Sequence, residues 1–124
     1  MFCRELYLDE YTAGNLKTIR RKIRHGKYMP GIYVLMLSKK DGTLEYMNSA
    51  YLAQKYYKKN PPFIIGLAKS QESMLHMIQS IFEEVLQVRG DVDVRAYLKE
   101  KTSGEEYKKL RMFRFTIFDQ DGDN

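Results

Sequence analysis

The chain has 124 residues, of which 44% are hydrophobic and 30% are charged, and its formal net charge at pH 7 is +5. Its length leaves room for one hydrophobic core but not for two, and its composition is ordinary for a soluble globular protein. It has one cysteine, Cys3, and neither a signal sequence nor a run of about 18 apolar residues, so we expect a cytoplasmic protein without an intramolecular disulfide or membrane contact.

The excess positive charge lies in the first half of the chain. Residues 1–60 hold 12 Lys and Arg against 5 Asp and Glu, whereas residues 61–124 hold 9 against 11. The pattern over residues 15–26 predicts a first helix, which Gly26 ends. Its apolar positions form a stripe only about 60° wide, so we expect one thin edge to be buried and the basic remainder to face solvent. Residues 1–13 before it, and residues 119–124 at the other end, are predicted to be frayed.

Two apolar runs in the middle of the chain predict strands that are buried on both faces. The runs are residues 32–37 and 63–68, and each is short, rich in Ile and Leu, and without alternation. An Asp-Gly turn after the first run predicts a hairpin that returns into a strand over residues 43–47. A helix is expected over residues 50–59, and the prolines that follow end it.

Residues 70–89 predict the longest helix, with Ser70 as its N-cap. Its apolar residues occupy one half of the helical wheel, and an arc of that width is typical of a helix laid across a sheet. The apolar half consists of Met74, Leu75, Met77, Ile78, Ile81, Phe82, Val85, Leu86 and Val88. Lys69 and the first N–H groups of this helix form a corner that would attract an anion.

The C-terminal third of the chain predicts one short helix and one strand. Asp91 or Asp93 is a suitable N-cap for a helix through Leu98. Residues 111–118 alternate between apolar and polar residues, which is typical of a half-exposed strand at a sheet edge. The whole pattern predicts a single α+β domain, with one small mixed or antiparallel sheet of about four strands and helices packed on it.

Clustered cations are the clearest candidate binding feature. Long side chains that are always charged suit phosphate groups, and tyrosines between lysines at residues 55–59 suit stacking on bases. The alternative interpretation is a solvated surface, or one that docks an acidic protein or the acidic C-terminal residues. The candidate nucleic-acid-binding residues are Lys17, Arg20, Arg21, Arg24, Lys27, Lys55, Lys58 and Lys59.

Residues for catalysis or metal binding do not form a recognisable pattern. The chain has two histidines and one cysteine, and their spacing matches neither a metal site nor a nucleophile–base pair. We therefore expect no enzyme activity, no cofactor, no metal and no small-molecule ligand.

Residues 31–98 carry a resemblance to a group of known proteins. The hairpin that begins GIYVLML, the segment IIGLAKSQESMLHMIQSIFEEVL and the segment DVDVRAYL follow one another in this region. This arrangement resembles small proteins of clostridial-type bacteria, some of them carried on mobile elements. The resemblance implies a stand-alone bacterial cytosolic domain, and it implies no activity and no functional residues.

Two functions are compatible with these features. The first is a non-enzymatic adaptor or regulatory domain that binds another protein or a second copy of itself, because the apolar half of the long helix exceeds what one small sheet can cover. The second is an accessory nucleic-acid-binding protein that uses the basic helix over residues 15–27. The second requires both cationic clusters to lie on one side of the molecule.

Overall fold

A computed structural model describes residues 2–27, 29–38, 41–101 and 116–117. It contains five strands, five α-helices and a short 3₁₀ helix over Ser49–Ala53. The strands are β1 (Phe2–Leu8), β2 (Tyr33–Leu37), β3 (Leu44–Asn48), β4 (Phe63–Ala68) and β5 (Thr116–Ile117). The helices are α1 (Glu10–Gly14), α2 (Leu16–Arg24), α3 (Lys55–Lys59), α4 (Gln71–Arg89) and α5 (Val94–Lys101).

The strands form one mixed sheet in the order β3-β2-β4-β1-β5. β2 is antiparallel to both β3 and β4, whereas β1 is parallel to both β4 and β5. The prediction of an α+β fold with a small mixed sheet is confirmed. The buried runs in β2 and β4 are neighbours at its centre, with Leu35 opposite Gly66.

The prediction that residues 1–13 are frayed is wrong for the described part of that segment. Residues 2–8 form β1, which lies between β4 and β5, and the side chains of Leu6, Tyr7 and Leu8 are buried. The sequence did not predict this strand because both of its partners lie far along the chain, so no hairpin signal accompanies it. The prediction for residues 119–124 lies outside the described residues.

The first predicted helix forms as α2, but a separate short helix, α1, precedes it, and the second predicted helix is divided in two. Asp9 caps α1, and the turn at Asn15 separates α1 from α2. In the second case, Gln54 has an extended backbone with ψ of 147°, which interrupts the helix predicted over residues 50–59. The 3₁₀ helix therefore precedes α3, which ends at Lys59 before the two prolines.

Helix α4 forms where it was predicted and lies across the sheet. The Ser70 hydroxyl accepts a hydrogen bond from the Ser73 N–H at 3.1 Å, and Gly90 ends the helix in the left-handed conformation. Four of its nine apolar residues are fully buried, namely Met74, Met77, Ile81 and Val85. The sheet covers only this part of the predicted arc, and Leu75, Leu86 and Val88 remain about half exposed or more.

The C-terminal elements agree with the predictions where they are described. The Asp93 carboxylate accepts a hydrogen bond from the Ala96 N–H at 3.0 Å, as expected of the N-cap of α5. β5 lies at the edge of the sheet, beside β1, and the rest of the strand predicted over residues 111–118 lies outside the described residues. None of the helices in the described part of the chain has the length and apolar character that crossing a bilayer requires.

Candidate nucleic-acid interface

Helix α2 is attached to the core by a narrow apolar stripe. Ile19 and Ile23 are buried and Leu16 is partly buried against the core cluster. At about 100° per residue, the next positions around the helix on one flank are Arg20, Arg24, Lys17 and Arg21, in that order, and they span about 100°. Four of the five basic residues of α2 are therefore gathered on one side of its buried edge, and Lys22 lies on the other side.

Positive charge is crowded on this flank. Arg20 is partly buried, and Arg24 follows it by one helical turn. Burial and, to a smaller extent, the neighbouring Arg24 charge lower the pKa of the Arg20 guanidinium from its ordinary value. Helix α2 contains no acidic residue that would offset these charges within the helix.

A lysine of α3, Lys58, lies beside the end of α2. Gly26 has a positive φ of 69°, a conformation that glycine adopts readily and that reverses the chain after the helix. A Cβ atom built on Gly26 would lie 3.5 Å from Cε and 3.7 Å from Nζ of Lys58. The ammonium group of α3 therefore lies beside the C-terminal end of α2, where the helix dipole favours a cation.

Helix α3 adds exposed lysines and tyrosines next to this contact. Lys55, Lys58 and Lys59 are exposed, and α3 contains no acidic residue. The side chain of Tyr56 is 64% exposed, and its ring packs edge-to-face on that of Tyr57 with centroids 5.0 Å apart. Aromatic rings between lysines are the arrangement that nucleic-acid bases and phosphates can use together.

The candidate residues occupy two adjoining segments of the structure. Lys17, Arg20, Arg21 and Arg24 belong to α2, Lys27 follows it, and Lys55, Lys58 and Lys59 belong to α3. We call these eight residues the basic face. Lys58 lies close to Gly26, where α2 ends, so the two parts adjoin at that point, a proximity that the sequence alone does not predict.

The predicted anion-attracting corner at the start of α4 already holds an anion from the chain itself. The Asp9 carboxylate is buried, and its Oδ2 accepts hydrogen bonds from the Lys69 N–H at 2.7 Å and the Ser73 hydroxyl at 2.8 Å. Its Oδ1 accepts from the Thr12 N–H at 2.9 Å. The corner is therefore a structural junction rather than a ligand site.

Sequence reasoning missed this junction, although a local signal was present. Asp9 and Thr12 stand at the spacing of a capping box, and the Thr12 hydroxyl accepts a hydrogen bond from the Asp9 N–H at 3.1 Å. The same hydroxyl lies 3.0 Å from the carbonyl oxygen of Leu67, so it links α1 to β4.

A second buried contact was also missed. The Tyr7 hydroxyl donates to Glu84 Oε2 at 2.9 Å, and the Tyr97 hydroxyl donates to the same oxygen. Both tyrosines are buried, so this carboxylate joins β1, α4 and α5. The helical wheel places Glu84 at the border of the buried stripe, which explains why a residue counted with the polar half of α4 contacts the core.

The described side chains contain no group of three or more His, Cys, Asp or Glu residues that could hold a metal ion.

The structure defines a small α+β domain with a mixed sheet. No protein-family model, curated protein or solved structure matches the chain. The resemblance to small clostridial-type proteins, with the bacterial origin it implies, therefore stays a prediction.

Proposed function

We propose that this protein binds nucleic acid through the basic face. The observation that supports the proposal is the position of Lys58 beside Gly26, because it brings the second cationic segment next to the end of the first. A polyanion with regularly spaced phosphates can contact many cations of such a surface at once, and each contact releases condensed counterions.

The attachment of α2 also supports this proposal. Only Ile19 and Ile23 are fully buried among its residues, so most of the helix circumference is accessible to a ligand. The lowered pKa of Arg20 indicates that its charged form is less favourable there than in water. A phosphate group placed near Arg20 and Arg24 would favour their charged forms and so oppose that shift.

Binding to nucleic acid at a series of salt concentrations tests the proposal. Fluorescence anisotropy of a labelled single strand and a labelled duplex would be measured for the wild type and for an Arg21→Glu/Lys58→Glu variant. We expect wild-type affinity to fall steeply with salt, and the variant to bind at least tenfold more weakly with a shallower slope. Each lost phosphate contact removes about 0.9 from the log–log slope for a duplex.

A Lys22→Glu/Lys99→Glu variant is the matched control. It changes the net charge by the same amount, but Lys22 lies on the other flank of α2 and Lys99 lies on α5. We expect its affinity to stay within about threefold of the wild type, since long-range charge alone has a weak, screened effect. Absence of wild-type binding at low salt, or an equal loss in the control, would overturn the proposal.

A protein-binding role has its own supporting observation. Leu75 and Leu86 are 49% and 52% exposed. They lie on one stripe of α4 with the partly buried Ile78 and Phe82. We propose, as the second candidate function, a non-enzymatic adaptor that contacts a protein or a second copy of itself through this stripe. Sedimentation equilibrium of the wild type and of a Leu75→Lys/Leu86→Lys variant tests self-association, which the variant is expected to abolish.

A further inference from the structure

A cavity of about 530 Å³ opens beside α3, at the end of the sheet where β2 ends and β4 begins. Its wall includes Tyr56, Tyr57, Phe63 and Met36, with Lys59 and Asn60 among the polar residues. The volume lies within the range of about 300–1,000 Å³ that is usual for small organic groups, and the mixture of rings with a few polar groups is typical of such sites.

We propose that this cavity takes an unpaired nucleobase, so that the protein binds single-stranded nucleic acid in preference to a duplex. This inference rests on the proposed function, because the basic face supplies the phosphate contacts of the same strand. Lys59 belongs both to the wall of the cavity and to the basic face, and Lys58 precedes it beside Gly26. The base site and the phosphate sites therefore adjoin.

The tyrosine pair provides the stacking surface. Tyr57 is partly buried against the core, and its ring contacts the ring of Tyr56 at an interplanar angle of 87°. Tyr57 therefore supports Tyr56, whose exposed ring is available to a ligand. A base that stacks on such a ring gains affinity without sequence specificity, since every base has a flat π-surface.

The rest of the wall is held in a defined position. The Asn60 side-chain amide donates a hydrogen bond to the Tyr56 carbonyl oxygen at 3.1 Å. This bond engages the Nδ2 group and leaves Oδ1 as the acceptor of that side chain. Pro61 and Pro62 follow, and their rings fix φ near −65°, so the wall is rigid between α3 and β4.

Charge within the cavity favours a base over a phosphate. Glu45 lines the same cavity, opposite in charge to Lys59. A carboxylate repels a phosphate group but accepts hydrogen bonds from the exocyclic amino group of a base. We therefore place the phosphates of the strand along the basic face and the base within the cavity.

A duplex cannot use this cavity without opening. Extruding a paired base requires unpairing and unstacking, which is unfavourable, whereas a single strand presents bases that are already accessible. The basic face alone would contact both forms, so the cavity is the feature that distinguishes them.

A Tyr56→Leu variant tests the proposal, because leucine keeps apolar bulk but removes the ring. Anisotropy would be measured with a labelled single-stranded oligonucleotide and with the matching duplex. We expect about a tenfold loss of single-strand affinity, which is within the range for one lost base–aromatic stack. We expect duplex affinity and the salt slope to stay unchanged, and Tyr56→Phe to retain single-strand affinity.

Tyr51→Leu is the matched control, because Tyr51 is also an exposed tyrosine but does not line the cavity. Its single-strand affinity is expected to stay within about twofold of the wild type. Equal losses for Tyr51→Leu and Tyr56→Leu, or equal losses for the single strand and the duplex, would overturn the cavity assignment. If the wild type binds neither the single strand nor the duplex, the proposed function itself is wrong, so the two failures are distinguishable.

Discussion

The Asp9 junction and the basic face differ in how the fold surrounds their charged side chains. At the junction, which consists of Asp9, Thr12, Lys69 and Ser73, one buried carboxylate accepts hydrogen bonds from three parts of the chain. On the basic face, positively charged side chains lie close together, and burial and the neighbouring Arg24 charge lower the pKa of the Arg20 guanidinium. A carboxylate that the fold surrounds with hydrogen-bond donors contributes to stability, whereas positive charge gathered at a surface is suited to an anionic ligand from outside.

Substitution of Asp9 should have the largest effect on stability. Asp9→Ala leaves the Thr12 N–H, the Lys69 N–H and the Ser73 hydroxyl without the acceptor they share. We expect the free energy of unfolding to fall by about 3–5 kcal/mol, because each buried donor left without an acceptor costs about 1–3 kcal/mol. Denaturant unfolding of the variant measures this change.

Asp93→Ala is the control for the Asp9 substitution. Asp93 also caps a helix with its carboxylate, but its side chain is exposed. The expected cost is about 1 kcal/mol, because water replaces the lost acceptor. If both substitutions cost the same, burial of Asp9 is not what makes the junction stabilising, and the comparison with the basic face is wrong.

Substitution of Gly66 should have an intermediate effect on stability, because the sheet and α4 approach each other closely at this residue. A Cβ atom at this position would lie 2.9 Å from the Met77 sulfur and 3.2 Å from the Tyr7 carbonyl oxygen. The flexible Met77 side chain can shift, but the backbone of Tyr7 is fixed in β1. We expect Gly66→Ala to lower the free energy of unfolding by about 1–3 kcal/mol, as is usual for overpacking.

Gly14→Ala is the companion measurement for Gly66→Ala. Nothing lies within 4 Å of a Cβ atom built on Gly14, and its φ is not positive. This substitution should be neutral or slightly stabilising, since alanine restricts the unfolded chain. A similar loss at both positions in thermal unfolding would show that the approach of α4 to β4 is not the cause.

The basic face should give the smallest effect on stability. Arg21 and Lys58 are both exposed, so the Arg21→Glu/Lys58→Glu variant is expected to change the free energy of unfolding by less than about 0.5 kcal/mol. The same variant is expected to lose most of its nucleic-acid binding. A destabilisation comparable to that of Asp9→Ala would mean that these cations support the fold, and the contrast between the two regions would disappear.

Sequence reasoning succeeded where the physical signals are local. The N-cap Ser70 lies next to the helix it begins, and the Asp-Gly turn lies between the strands it joins, so α4 and the hairpin were predicted. β1 was missed because its stabilisation comes from β4 and β5, which are distant in sequence.

The candidate site shows the same division. The residue types of the basic face were predicted, because clustered arginines and lysines are visible in any window of the sequence. The proximity of Lys58 to Gly26 was not predicted, since it depends on where the tertiary fold places α3 relative to the end of α2. The cavity beside Tyr56 was not predicted either, because its wall combines residues from β2, β3, α3 and β4.

The position of β1 has a consequence for how the chain reaches its native state. β1 pairs with Gly66 in β4 and with Thr116 in β5, so it leaves the ribosome long before either partner has been synthesised. The antiparallel unit of β2, β3 and β4 has shorter connections and can assemble first. We therefore expect β1 to dock on β4 after this unit has formed, and its amide protons to be protected later than those of β2 and β3 in a pulsed hydrogen-exchange experiment. Because β5 pairs with β1 at the edge of the sheet, β5 joins the sheet only once β1 is in place.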